Sequence, residues 1–219
     1  MTLRVDFDRD LWLYVPTQWP WMGYARLEDW RDAVVAAVGD AHGYDRSLRD
    51  WLGATLEGMV RGATPGEERF AYLARPHETI GMASLYEWAS SPDAELDDLL
   101  GIRGDVSIRP PQVAPLEGAG LGHGTKAVRF VDESRTDADA GTAGSAGRAG
   151  GSGGAGTIVG VAHWVWRLAD RDVIMIAGDA DLARFEQLQG PLDDLARSIS
   201  LAAEDQIPED QYPDERTTR

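Results

Sequence analysis

The chain has 219 residues, enough for one ordinary domain with a proper core, and its 43% hydrophobic content excludes a chain disordered throughout. A formal net charge of −16 repels nucleic acids and anionic headgroups, so neither nucleic acid nor a membrane surface is an expected partner. There is no cysteine, which removes disulfides, zinc–thiolate sites and thiol nucleophiles, and no apolar run approaches the ~18 residues of a membrane span. The charged opening MTLRVDFDRD lacks the apolar core of a signal peptide, so the expected location is cytoplasmic. Lys126 is the only lysine and asparagine is absent, a bias that a GC-rich genome explains.

Val5, Phe7 and the run Leu11-Trp12-Leu13-Tyr14-Val15 predict one or two strands with a polar kink at Asp8-Arg9-Asp10, ended by Pro16. The following stretch to Trp21 reads as an aromatic loop. Leu27, Trp30, Val34, Ala37 and Val38 recur at helical spacing, with acids in the first turn and Gly39 placed to supply a left-handed stop. A second helix is expected over 45–61, with Asp45 as N-cap and Leu48, Trp51, Leu52, Leu56, Met59 and Val60 as its apolar stripe. Thr64-Pro65-Gly66 breaks that pattern.

Two strands follow, one around Phe70, Tyr72 and Ala74, the other with Ile80, Met82, Ser84, Tyr86 and Trp88 on one face; Arg75-Pro76-His77-Glu78 connects them. Ser91-Pro92 reads as a capped helix start with early acids, the helix ending near Gly101. Residues 103–123 support no assignment, and a strand resumes over 125–131. The Gly/Ala/Ser tract that follows cannot offset its ordering entropy, and it reads as a flexible hairpin insertion. Strands at 157–168 and 172–177 form a hairpin that is apolar on both faces and must be covered on both. Asp179 or Asp181 caps a last helix whose stripe runs Leu182, Phe185, Leu188, Leu192, Leu195, Ile199, with Gly190-Pro191 expected to kink or divide it.

These elements predict one α+β domain over 1–203: a central antiparallel sheet of about six strands flanked by helices. The flexible insertion falls at about 133–156, and an acidic tail at 204–219 is expected to be disordered.

Near-motifs fail on context. Gly118 to Gly124 matches neither the dinucleotide nor the P-loop spacing and reads as a turn. Gly150-Gly151-Ser152-Gly153-Gly154 has the form GxSxG but lies in the low-complexity tract, without the strand–turn–helix a nucleophile elbow needs. His42, His77, His123 and His163 form no metal-ligand pattern, and His77-Glu78 reads as a solvated loop pair rather than an acid–base couple. No catalytic residue, metal or cofactor is assigned. Among eight tryptophans, Trp30 and Trp51 are expected in helix cores and Trp12, Trp88, Trp164 and Trp166 in strand cores. Trp19 and Trp21, between prolines, are the candidate partner contact if exposed.

The segment Leu11 to Trp19 (LWLYVPTQW) is similar to the strand and Pro-x-x-Trp that open Mog1/PsbP-like proteins, and the closing hairpin and helix over 161–201 resemble how they end. The group includes actinobacterial lipoproteins of the LpqN type, although this chain has no cysteine to lipidate. The resemblance implies a central antiparallel sheet with flanking helices, and a binding or accessory role.

Two functions are therefore expected. The first is a non-catalytic accessory module with another protein as partner; the oligomeric state is not legible. The alternative is an enzyme or small-molecule binder with a site assembled from dispersed groups such as Arg75, His77, Tyr86 and His163. The composition of the tract yields a test: deleting residues 137–154 should move the melting temperature by only a few degrees, whereas loss of the folding transition would show that the tract is structural.

Overall fold

Strand pairing, rather than any single motif, organises the chain. The computed structural model describes residues 1–103, 107–132 and 157–202. In chain order the elements are β1 (Thr2–Val5), β2 (Trp12–Val15), α1 (Leu27–His42), α2 (Arg46–Arg61), β3 (Glu67–Arg75), β4 (Thr79–Ala89) and the short α3 (Leu96–Leu99). They continue with β5 (Gln112–Ala119), β6 (Gly122–Asp132), β7 (Ile158–Arg167), β8 (Arg171–Asp179), α4 (Leu182–Arg197) and β9 (Ile199–Ala202). Seven strands form one sheet in the order β2-β3-β4-β8-β7-β6-β5, every neighbour antiparallel, and β1 pairs with β9 as a separate ribbon. The protein is α+β, as the element pattern predicts.

The sheet has seven strands, one more than the expected six, because β5 is not legible in the sequence, and β9 of the separate ribbon is not legible either. β5 lies in the proline- and glycine-rich stretch. Its Pro115 is tolerated because β5 is an edge, where one side of the strand needs no ladder hydrogen bonds. β9 falls where the sequence predicts the end of the last helix. The helix ends at Arg197 with Ser198 as its C-cap, and Ile199 is buried opposite Val5 instead. β6 and β7 are paired neighbours with Asp132 opposite Ile158. The insertion at 133–156, with its GxSxG match, and the tail at 204–219 lie outside the described residues.

Alternation along the strands sends one set of side chains to each face. On the first face Phe70, Leu85, Trp164, Trp166, Val173 and Met175 pack against Phe185, Leu188, Leu192 and Leu195 of α4, and Leu3, Val5 and Ile199 of the ribbon close the layer. On the second face Val15 and Ala71 lie under Trp30, Leu52, Leu56 and Val60 of the α1–α2 hairpin. Farther along, Ala127, Val165 and Ile174 lie under Leu100 after α3. The two-faced apolar hairpin β7–β8 is thus covered on both sides.

Helix ends correct several expectations. α1 runs on to His42, and its left-handed stop is Gly43 (φ 65°), not Gly39. Gly39 is buried, and a Cβ there would come within 2.6 Å of the Arg49 guanidinium, so its glycine serves a close approach. Asp45 caps α2 as expected, accepting from the Leu48 amide at 2.9 Å. Ser91-Pro92 does not start a helix: Arg167 donates to the carbonyls of Ser91 and Ala94, holding a turn, and α3 begins only at Leu96. Asp181 caps α4, while Asp179 takes the Arg184 guanidinium. Pro191 does not divide α4; Gln187, four residues earlier, is solvent-exposed, so the carbonyl deprived of its helical donor lies on the wet side.

A buried ion pair ties α2 to the sheet. Glu67 and Arg69 are 3% and 4% exposed. The Arg69 guanidinium forks onto the Glu67 carboxylate, and also donates to the carbonyls of Met59 and Gly62 at the end of α2. Glu67 further accepts from Thr64 N and Oγ1 and from Ser84 Oγ. Burial on its own raises the Glu67 pKa, but the hydrogen bonds from Arg69, Ser84 and Thr64 outweigh it and hold the carboxyl below its ordinary range. Removing one partner strands the other charge. R69M should therefore cost about 3–5 kcal/mol in urea unfolding, and the double variant E67Q/R69M should cost less than R69M alone. Equal losses would show that the carboxylate is not stranded.

Candidate functional site

The first face of the sheet is not fully covered. α4 and the ribbon reach across its centre but leave the β2–β3 edge under a cavity of about 290 Å³. Alternation puts Trp12 and Tyr14 of β2 beside Glu68 and Phe70 of β3 on its floor. Leu3, Arg4 and Val5 of β1 make one wall, Phe7 and Arg9 close one end, and Trp21 and Met22 overhang the edge.

The rings form a chain around this space. Trp21 stacks on Tyr14 at 5.7 Å, Tyr14 meets Phe70 edge-on at 5.6 Å, and Phe70 meets Phe7 edge-on at 5.3 Å. Such stacked and edge-on pairs are rigid and add stability beyond their buried area. The overhang is a tight hairpin in which the backbones of Trp21 and Tyr24 exchange two hydrogen bonds. Its central residues Met22 (φ 42°) and Gly23 (φ 86°) both take left-handed conformations. For methionine that conformation costs about 1 kcal/mol, strain of the kind held at ligand clamps, and the Met22 side chain is 48% exposed at the cavity mouth.

Glu68 is the anomaly in this lining. Among the described residues its side chain forms no hydrogen bond or ion pair, and of the lining cations Arg4 reaches Asp6 at 4.0 Å while Arg9 stands exposed between Asp8 and Asp10. Burial among apolar groups, with the like charge of Glu87 on β4 adding to it, pushes the Glu68 carboxyl up to about 7.

Trp19 and Trp21 are both half-buried and both pack against the helical-side cluster around Trp30, with the Trp19 ring 6.1 Å from that of Trp30; Trp21 in addition stacks on Tyr14 and lines the cavity. The signal for the site was present in the alternation of Trp12, Tyr14, Glu68 and Phe70. That β1 and the 21–22 hairpin meet over them was not.

The other singled-out residues do not converge. Arg75 pairs with Glu78, while His77 accepts or donates at Nδ1 with Tyr44 Oη (2.9 Å) and lies 3.6 Å from Glu78. Tyr86 sits against Trp88 at 5.6 Å. His163 is buried, and burial together with the Arg129 charge pushes its pKa down to about 4. Gly118 and Gly122 turn the β5–β6 hairpin rather than cradle a phosphate. Among the described residues no three His, Cys, Asp or Glu side chains are grouped to hold a metal ion. No helix is long and apolar enough to cross a membrane, again among the described residues.

Two tryptophans expected in the core are exposed. Trp51, 39% exposed, precedes the inward Leu52 and is turned roughly 100° away from it. Trp88, 49% exposed, lies past the end of the α1–α2 cover.

No family model, curated protein or solved structure matches the chain. The cavity's own chemistry therefore carries the functional reading.

Glu68 and His163 bias stability in opposite directions. Glu68, raised when folded, makes the protein less stable as pH rises from about 4.5 to about 7, because the unfolded chain gives up the proton first. His163, depressed when folded, makes it less stable as pH falls from 6.5 to about 4, because the unfolded chain takes the proton first. E68Q should thus add about 1–2 kcal/mol at mildly alkaline pH, allowing for partial solvent contact, and little under acid conditions. Urea unfolding across pH checks this; a gain independent of pH would refute the assignment to ionised Glu68.

Proposed function

We propose that the protein is a non-catalytic binding module whose site is the aromatic cavity at the β2–β3 edge, and that its ligand is a small, largely apolar molecule. The single observation that carries this reading is a half-open, ring-lined cavity of about 290 Å³ containing one carboxylate without a partner. Ligand sites are typically concave and apolar, with a few polar groups that orient the ligand. An apolar cavity of about 150 Å³ accommodates benzene, so this one has room for a ring with a short chain.

Among the described residues the lining contains one carboxylate, one phenol and two guanidiniums, but no histidine, serine or threonine. It therefore lacks the paired nucleophile and base that covalent catalysis uses. An accessory role with a protein partner rests on the lack of a convergent catalytic set, the tryptophan excess and the negative charge, with Trp19 and Trp21 as its contact if exposed. Both rings are half-buried and Trp21 lines the cavity, which supports the small ligand instead. The Mog1/PsbP-like resemblance of the chain ends is in keeping with a binding module, but fold analogy does not determine function.

A neutral apolar dye such as N-phenyl-1-naphthylamine tests the reading. It should bind saturably, one per chain, and W21A should weaken binding by about fivefold or more, roughly 1 kcal/mol of lost aromatic contact. W51A, on the exposed side of α2, should leave binding unchanged. Unsaturable binding, or equal binding by W21A, would refute this site.

A further inference from the structure

We infer that the cavity selects a ligand carrying an ammonium group on an apolar ring or short chain, with Glu68 receiving the ammonium; this rests on the cavity reading above. Glu68 rises from the floor beside Phe70, on the same face of β3, between β2, whose Trp12, Leu13 and Tyr14 line the space, and β4, whose Leu85 lies opposite it and whose Glu87 is a like charge. A carboxylate held there without a hydrogen bond is expensive, because water is largely displaced and no protein donor replaces it. An incoming ammonium supplies what the fold withholds: an opposite charge and up to three donors.

The surrounding rings suit the same ligand. Trp21, Tyr14 and Phe70 border the space, and a cation over the face of such a ring gains about 0.5–2 kcal/mol. Aromatic walls with a carboxylate on the floor are complementary to a cation with an apolar body, whereas the two lining guanidiniums belong to the wall and one end. The charges facing Glu68 are few. Glu87 of β4 is a like charge and is itself paired with Arg171 at 2.6 Å. Arg4 of β1 reaches Asp6 only at 4.0 Å and keeps a buried Nε without a hydrogen bond, and Arg9 stands in solvent among acids. None neutralises the carboxylate, and the net charge of −16 adds a long-range field that draws cations in.

Glu68 also titrates close to neutrality, and that yields a second handle. An alkylamine stays charged throughout the range in which Glu68 takes up its proton. Affinity for the amine should therefore fall as the solution is acidified, while affinity for an uncharged isostere should not.

The test uses the full chain and three probes of one shape: 3-phenylpropylamine, 3-phenylpropanol and 3-phenylpropanoate, titrated by calorimetry at mildly alkaline pH. The amine should bind about tenfold or more tighter than the alcohol, and the carboxylate weakest, as expected of a hydrogen bond to a charged group. E68Q should remove about tenfold from the amine and leave the alcohol within about twofold. In the unmodified chain the preference for the amine should shrink on acidification through the Glu68 titration, which needs no variant at all.

Equal binding of amine and alcohol, an unchanged ratio in E68Q, or tightest binding of the carboxylate would overturn the inference. If the neutral dye binds but the amine has no advantage, the ammonium assignment fails and the cavity reading stands. If neither dye nor probes bind, both fall.

Discussion

The architecture depends on one constraint, the burial of both faces of the β7–β8 hairpin at the middle of a seven-stranded antiparallel sheet. Trp164, Trp166, Val173 and Met175 are covered by α4, while Val165 and Ile174 turn the opposite way beneath Leu100. An antiparallel sheet commonly leaves one face wet, and its strands then alternate apolar with polar residues. Here neither face of the centre can be wet, so each flanking element is recruited to one layer or the other. The α1–α2 hairpin takes the second face at the β2–β4 end, and the ribbon β1–β9 finishes the first.

Coverage that is complete at the centre runs out at the edge. α4 is one helix, and a single helix cannot span a sheet seven strands wide. The uncovered corner at β2–β3 becomes the cavity, closed by the ribbon on one side and the Trp21–Tyr24 hairpin on the other. The two sides of β3 show the contrast. Facing the helices, Glu67 and Arg69 lie in a fully hydrogen-bonded pair that also holds the end of α2. Facing the cavity, Glu68 has no such partner. A charge satisfied by the fold stabilises the fold, whereas an unsatisfied one next to an opening is kept at a cost and is the group a ligand can exploit.

Legibility followed the range of the interactions involved. The α2 cap at Asp45, the α4 cap at Asp181 and the β7–β8 hairpin are local, and each follows from a few adjacent residues. The misreadings are all places where a distant group decides. Arg49 turns Gly39 from a helix stop into a packing glycine, and Arg167 holds Ser91–Ala94 in a turn where Ser-Pro favours a helix. Val5 draws Ile199 out of the helical stripe into a strand. Trp51 and Trp88 share patterns with core residues, but the elements above them stop short. Periodicity reports which residues share a face, not how far the neighbouring layer extends.

By itself, then, the sequence determined the α+β class, the acidic surface, the absence of thiol chemistry, and the strand faces that carry Trp12 with Tyr14 and Phe70 with Tyr72. These follow from composition and from the two- and 3.6-residue periods of the backbone. The tertiary structure alone decided that those two faces join as one floor, that the N-terminal ribbon and the 21–22 hairpin wall it in, and that Trp21 borders it whereas Trp19 does not. It also decided which of two adjacent glutamates is paired. The physical reason is the same throughout: a site is defined by what is absent above a surface, and only the packing of distant elements leaves that space open.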